Sequence, residues 1–177
     1  MTAALELFSE RRWTVPASLS DDKQRDPYRY IFAWAWAPGP LVCYVGLNPS
    51  TMTALKTDAT GRKWRGFAER MGCGGYLAVN AFALRSTDPK TLGGPGWDPV
   101  GPVNDAMVLE ALRNRGVEKV VACWGRPPFA ALKDRLREVR RLITAEREVH
   151  CWGLTADGEP KHPLTLSYET PLRRLEP

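Results

Sequence analysis

The chain has 177 residues, of which 44% are hydrophobic and 25% charged, a composition typical of a globular domain and not of a disordered chain. Its length suits one domain with a sizeable core. No apolar run approaches the ~20 residues that span a bilayer, and residues 1–13 lack the apolar core of a signal peptide. A cytoplasmic protein is therefore expected. The net charge of +5 and the isoelectric point near 9.2 are compatible with a polyanionic partner but do not identify one.

The chain opens with a polar lead-in, residues 1–27, and residues 28–177 are expected to form a single α/β domain. Residues 28–36 are aromatic and β-prone. Pro38-Gly39-Pro40 forces a turn before the apolar residues 41–47. The two segments are therefore predicted to form a hairpin or a strand–turn–strand unit.

Beyond this unit, short apolar segments alternate with amphipathic ones. Strands are predicted over residues 41–47, 76–82, 117–124 and 149–153, and helices over residues 61–72, 102–115 and 127–144. Continuous apolar strands separated by amphipathic helices indicate a parallel sheet that is covered on both faces. The predicted architecture is three-layer α/β/α, with a central, mainly parallel four-stranded sheet plus an N-terminal strand or hairpin.

In sheets of this kind, ligands bind outside the carboxyl ends of the strands. The loops expected there are residues 48–61, 83–101, 125–128 and 154–167. The first, second and fourth of these carry unusual polar content. Candidate site residues are therefore sought in those three loops.

The first loop begins with Gly46-Leu47-Asn48-Pro49-Ser50. Gly46 would let the backbone approach a ligand closely, and Pro49 biases Asn48 toward extended geometry. The Asn48 amide can donate to an oxygen and accept from a water or an amine. Alternatively, Asn48 and Ser50 only hydrogen-bond the turn. The sequence leaves both interpretations open.

The second predicted strand closes on Asn80. An Asn at the crevice is well placed to read a planar, amide-like edge such as that of a pyrimidine, although it could instead cap the strand. In the loop that follows, Arg85 is a candidate phosphate contact, whereas Asp88 is interpreted as a turn former.

The chain has only two histidines, His150 and His162. His150 lies inside a strand-like segment and is interpreted as structural. His162 precedes Pro163 in the last crevice loop. A histidine held there is a plausible electrostatic partner for a developing anion.

Several familiar chemistries find no support in the sequence. The motifs of phosphate-loop, dinucleotide-binding, lipase-type and zincin proteins are all absent, so no cofactor is expected. The four cysteines lie far apart and include no C-x-x-C pair. Buried thiols are expected rather than a metal site, which would require the fold to gather all four.

The order of three motifs is similar to that of the uracil-DNA glycosylase superfamily, whose members carry G-x-[ND]-P, a strand-terminal Asn and a late H-P-S. Here they read G-L-N-P-S, Y-L-A-V-N and K-H-P-L. More closely, L-N-P-S-T, N-A-F-A-L-R-S-T-D-P, P-V-G-P-V-N-D and the final H-P-L resemble an uncharacterised bacterial and phage family, domain of unknown function 1643. That closer resemblance covers most of the chain from about residue 28.

The superfamily resemblance implies a glycosylase-like fold and a role for each motif. Asn48 would position the attacking water, Asn80 would read the edge of an extruded base, and His162 would stabilise the leaving base. Gly46, Pro49 and Ser50 would complete the base site. Candidates for contacts with the nucleic-acid backbone are Arg62, Lys63, Arg65 and Arg85.

The activity implied is hydrolysis of the N-glycosidic bond of a damaged or modified base in DNA, as in base-excision repair. Two alternatives remain. Ser50 stands where asparagine-type enzymes of the superfamily usually have Gly, and H-P-L lacks the serine of H-P-S, so a non-catalytic nucleic-acid or nucleotide-binding domain is one alternative. A hydrolase of free nucleosides or nucleotides is the other.

Overall fold

The computed structural model describes residues 12–15, 27–49, 58–94, 96 and 98–177. Within this part of the chain, seven strands form one sheet in the order β1-β2-β4-β3-β5-β6-β7. The strands are β1 (Arg12–Val15), β2 (Ile31–Ala35), β3 (Leu41–Gly46), β4 (Gly75–Asn80), β5 (Val117–Ala122), β6 (Val149–Cys151) and β7 (Arg173–Arg174).

The described α-helices are α1 (Ala59–Arg70), α2 (Asn104–Arg113) and α3 (Lys133–Glu146). Short 3₁₀ turns cover Pro89–Gly93, Ala130–Leu132 and Pro163–Thr165. The third helix was predicted to begin at residue 127, which is wrong. Pro127 and Pro128 have no backbone N–H, and Phe129 is extended with φ −153°, so α-helical geometry begins only after the 3₁₀ turn.

The centre of the sheet is parallel and its flanks are antiparallel. β3 pairs in parallel with β4 and with β5, and β5 pairs in parallel with β6. β1, β2 and β7 add antiparallel pairs at the two edges. The general α/β class is confirmed, whereas the described sheet has seven strands where four plus an N-terminal strand or hairpin were expected.

The strands on either side of Pro38-Gly39-Pro40 do not form a hairpin. β2 pairs with β4, not with β3, so β4 lies between the two strands that the turn connects. The strand–turn–strand interpretation is correct, and the hairpin interpretation is wrong. Local turn chemistry could not reveal this, because a strand from later in the sequence fills the gap between β2 and β3.

Apolar clusters lie on both faces of the sheet. Alternate residues of β3 belong to different clusters: Cys43 and Val45 pack with residues of α2 and α3, whereas Tyr44 packs with residues of α1. Every residue of β3 and β4 is buried, as expected for central strands covered on both sides. Helices therefore cover both faces and leave the carboxyl ends of the strands open to a ligand.

Candidate functional site

A cavity of about 390 Å³ opens beyond the carboxyl ends of the central strands. Five of the predicted site residues, from three separate segments of the sequence, line it: Gly46, Asn48, Pro49, Asn80 and His162. Its other polar or charged walls include Arg29, Asp58, Ser86, Thr87 and Arg126, and its aromatic walls are Phe32, Trp64 and Trp124. Ser50, the remaining predicted site residue, lies outside the described residues.

Gly46 and Asn80 are direct neighbours at the ends of β3 and β4, where they are paired in the parallel register. A Cβ on Gly46 would meet Asn80 Oδ1 at 2.7 Å and the Trp64 ring at 3.6 Å. Asn80 is only 6% exposed and lines the cavity. A buried amide on a cavity wall retains its capacity to donate and accept, which a ligand or a water can satisfy.

The Asn48 side chain is held at its nitrogen. Nδ2 donates to the carbonyl oxygen of Ser86 at 2.9 Å and to that of Pro49 at 3.1 Å. Both amide hydrogens therefore go to backbone acceptors, and Oδ1 is the polar atom left for the cavity. Asn48 thus serves as a fixed hydrogen-bond acceptor, and it also ties its own loop to the loop after β4.

His162 enters the cavity from the last loop, at the start of the 3₁₀ turn Pro163–Thr165. Its Nδ1 accepts from the Leu164 backbone N–H at 3.4 Å, which assigns the proton of the neutral ring to Nε2. Burial lowers the pKa of His162 below its usual 6.5, and the negative charge of Asp58 opposes this in part. The ring is therefore a neutral donor at physiological pH.

Close packing against a glycine fixes the position of that imidazole. Gly125 has φ +73°, and a Cβ there would meet His162 Cβ at 2.9 Å. Only a glycine gives both the left-handed backbone and the room that the histidine needs. The loop after β5 and the loop after β6 thus shape the cavity together.

Asp58 lines the cavity while capping α1. Its Oδ1 accepts from the Gly61 backbone N–H at 2.7 Å, the usual bond of an N-cap carboxylate. One turn on, Trp64 forms an aromatic wall backed by Tyr44, whose ring is stacked on it at 5.3 Å. The Tyr44 hydroxyl also donates to the Trp64 carbonyl oxygen at 2.9 Å.

Residues after β5 form another part of the cavity wall, and the loop after β6 holds them in place. The indole N–H of Trp124 donates to the buried Glu159 carboxylate at 2.7 Å. Arg126 Nε lies 3.1 Å from Asp157 Oδ2. Trp124 is thereby fixed as a flat wall, and Arg126 places a cation at the mouth.

The predicted contacts with the nucleic-acid backbone are not part of the cavity wall. Lys63 lies over the Tyr168 ring at 4.0 Å, and Arg65 lies over the Trp34 and Trp36 rings at 5.0 Å each. Arg62 is exposed on α1 and Arg85 is half-buried in the loop after β4. These four cations flank the cavity and do not line it.

Sequence reasoning missed Arg29, Asp58, Trp124 and Arg126. The rule that ligands bind at the carboxyl ends of strands would have found the last two, because they end or follow the third predicted strand. Asp58 carries the signal of an N-cap residue immediately before a helical pattern. Arg29 gave no signal in the sequence, since its backbone N–H bonds the carbonyl oxygen of Ala83, a residue far away in the chain, at 2.9 Å.

All four cysteines are free and buried, as expected: Cys43, Cys73, Cys123 and Cys151. Burial raises the pKa of Cys43 and that of Cys123 to about 12. Among the described residues, no group of three or more His, Cys, Asp or Glu side chains is arranged to hold a metal ion. None of the described helices has the length and apolar character needed to cross a bilayer.

The chain belongs to the family described as Protein of unknown function (DUF1643), whose family model matches residues 29–164. The match spans β2 to the 3₁₀ turn after His162, so it includes every described residue of the cavity wall named above. Comparison with curated proteins and with solved structures found no match.

Proposed function

We propose that the chain hydrolyses the N-glycosidic bond of a damaged or modified base in DNA, with Asn48, Asn80 and His162 as the acting residues. The observation that carries this proposal is their convergence: three polar side chains, one from the end of β4 and two from loops, line one cavity. Asn48 and His162 each keep a polar atom for a ligand. The cavity volume lies within the range of small-molecule sites, which suits a single extruded nucleotide.

Asn48 supports the attack of water. The amide hydrogens of Asn48 are bonded to the carbonyl oxygens of Pro49 and Ser86, so the acceptor Oδ1 is the end of the amide that can bind a water. A water that donates a hydrogen to Oδ1 points its lone pairs away from Asn48. A water oriented in this way attacks C1′ of the sugar, its proton passes to solvent, and the N-glycosidic electron pair leaves with the base. Fixed orientation lowers the barrier without a strong base.

Asn80 and the aromatic walls support recognition of the base. A carboxamide presents one acceptor and one donor group, which match the adjacent donor and acceptor of a pyrimidine edge. Phe32, Trp64 and Trp124 provide flat apolar surface for a planar ring. Selectivity follows from the buried amide, because a base without matching groups would leave it unsatisfied.

His162 supports departure of the base. A neutral imidazole that donates from Nε2 stabilises the negative charge that develops on the leaving base. Asp58, in the same wall, places a carboxylate where it can stabilise the cationic sugar. Arg62, Lys63, Arg65 and Arg85, around the cavity, are proposed to contact phosphates and offset the few kcal/mol that nucleotide flipping costs.

A strand-scission assay on labelled oligonucleotides tests the proposal. Substrates carry uracil, hypoxanthine, thymine opposite guanine, or modified pyrimidines, and alkali reveals abasic sites. Cleavage should be lost in Asn48→Ala and strongly reduced in His162→Ala. It should persist in Asn114→Ala, which removes the same amide at the opposite end of the sheet. Absence of cleavage on every substrate would reject glycosylase activity on those bases.

A non-catalytic nucleic-acid or nucleotide-binding domain is the second candidate. It is favoured by the bonds of Asn48 to two backbone carbonyls, which are also what a purely loop-ordering Asn would make. A His162→Ala protein that binds as tightly as the wild type, with neither protein cleaving, would support it. Hydrolysis of free nucleosides, the third reading, would show little dependence on salt, whereas DNA binding weakens steeply.

A further inference from the structure

A second cavity, of about 320 Å³, lies at the β7 edge of the sheet. Three arginines line it, Arg140, Arg173 and Arg174, together with the apolar side chains of Leu154 and Leu175. Of the described residues in its wall, only Glu176 is acidic. Positive charge is therefore concentrated at this edge.

The neighbouring carboxylates neutralise little of that charge. Arg140 donates to the backbone carbonyl oxygens of Glu176 at 2.6 Å and of Gly158 at 3.4 Å, so its partners are uncharged groups. Arg174 lies 3.8 Å from Glu176 Oε1 and 4.0 Å from Glu148 Oε2, near the outer limit of an ion pair. Arg173 is exposed on β7.

The segment 153–160 connects this second cavity to the first. Arg126 at the mouth of the first cavity and Lys133 on α3 both lie near Asp157, at 3.1 and 3.5 Å. The next residue, Gly158, accepts from Arg140. Lys133 and Arg140 are two helical turns apart and so lie on one side of α3. The Asp157 carboxylate offsets one of the charges of Arg126 and Lys133, so a net positive charge still flanks the segment between the two cavities.

We propose that the phosphodiester backbone of a polynucleotide runs from the mouth of the first cavity across segment 153–160 into the second. The residues that hold it are Arg126, Lys133, Arg140, Arg173 and Arg174, named here the basic band. This rests on the proposed function in taking the first cavity as the site of a base on the same strand. A free nucleotide would fill the first cavity alone, whereas the basic band requires further phosphates.

Fluorescence anisotropy on labelled single-stranded DNA of about 16 and about 4 nucleotides tests the basic band. All proteins carry Asn48→Ala, so that cleavage does not interfere, and affinity is measured across a salt series. Affinity falls as salt rises, so the slope of log affinity against log salt is negative. Replacing Arg173 and Arg174 with Ala should make this slope shallower by about 1.4 for the long strand. Binding of the short strand should stay unchanged.

Matched variants decide between this surface and others. Arg115→Ala, at the opposite end of the sheet, should leave the salt slope unchanged. The double variant Arg173→Lys, Arg174→Lys keeps both charges and should retain the wild-type slope. If the double Ala variant does not fold, the double variant Arg173→Gln, Arg174→Gln replaces it. An unchanged slope in the double Ala variant, or loss of the slope only when Arg62 and Arg65 on α1 are replaced, would overturn the basic band.

Anisotropy on the Asn48→Ala proteins, together with the strand-scission assay on the same proteins with Asn48 restored, separates this inference from the proposed function. Binding that depends on the basic band without cleavage of any substrate would retain the inference and reject the glycosylase. Cleavage of a substrate, with long and short strands bound equally well and no effect of replacing Arg173 and Arg174 on binding, would retain the glycosylase and reject the basic band.

Discussion

Asn80 Oδ1 lies 2.7 Å from the point that a Cβ on Gly46 would occupy. The contact follows from the register, since the two residues are paired at the ends of β4 and β3. The Trp64 ring, at 3.6 Å from the same point, closes the other side. The missing side chain at position 46 is therefore what admits the Asn80 carboxamide into the cavity wall.

Gly46→Ala should displace the Asn80 side chain and destabilise the fold by about 1–3 kcal/mol, as overpacking of a filled site does. Ligand binding in the cavity should weaken at least ~10-fold, since 1.4 kcal/mol of lost contact is enough. Urea unfolding and a base-binding titration measure the two effects. In an Asn80→Ala background the stability cost of Gly46→Ala should largely disappear, because the clashing oxygen is gone. Equal costs in both backgrounds would refute the contact.

Asn104, on α2, stabilises the backbone that carries Asn80. It is 1% exposed, and its Nδ2 donates to the carbonyl oxygens of Asn80 and Ala81 at 3.0 Å each. Asn104→Ala removes both of these bonds, although Arg135 Nε still donates to the Ala81 carbonyl oxygen at 3.0 Å. The loss should cost about 1–3 kcal/mol in urea unfolding. Glu110→Ala, exposed on the same helix, should stay within about 0.5 kcal/mol. Similar small changes in both variants would contradict this role.

The pKa of His162, lowered by burial, predicts two dependences on pH. Protonation favours the unfolded chain, whose histidine keeps the usual value near 6.5. This contribution to stability is therefore present above pH 6.5 and is lost as pH falls through the lowered folded pKa. Activity that needs the neutral ring should fall over the same acidic range. Unfolding curves for the wild type and His162→Gln should diverge there, and parallel curves would contradict the prediction.

Asp58→Asn should lower the pKa of His162 further, because the Asp58 charge raises it in the wild type. The amide retains an oxygen for the α1 cap, so the helix should persist. With only two histidines in the chain, the shift is readable by NMR titration, and His150→Gln assigns the resonances. An upward shift would contradict the assigned influence of Asp58.

Cys43 and Cys123 should resist alkylation in the native protein. Burial raises the pKa of each thiol to about 12, so almost no thiolate exists near neutral pH. Iodoacetamide treatment followed by mass spectrometry should find both unmodified before denaturation and all four cysteines modified after it. Rapid modification of either thiol in the native protein would show that the core opens around β3 or β5.

The sequence predicted the alternation of strands and helices well, because buried parallel strands and amphipathic helices leave period-dependent patterns. It also predicted that Asn48, Asn80 and His162 lie at one edge, since carboxyl ends of parallel strands meet there. It predicted neither the position of β2 beside β4 nor the entry of Arg29 into the cavity, which depend on contacts between distant segments.

Local pattern alone thus determined the α/β class, the buried thiols and the loops that hold the candidate site. Tertiary structure alone decided which atoms are available to a ligand. The bonds of Asn48 Nδ2 to the carbonyl oxygens of Pro49 and Ser86 leave Oδ1 available. The bond from the Leu164 N–H to His162 Nδ1 leaves Nε2 available. Residue type sets what a side chain is able to donate or accept. Which of those groups remains available is set by the partners that folding brings within hydrogen-bond distance.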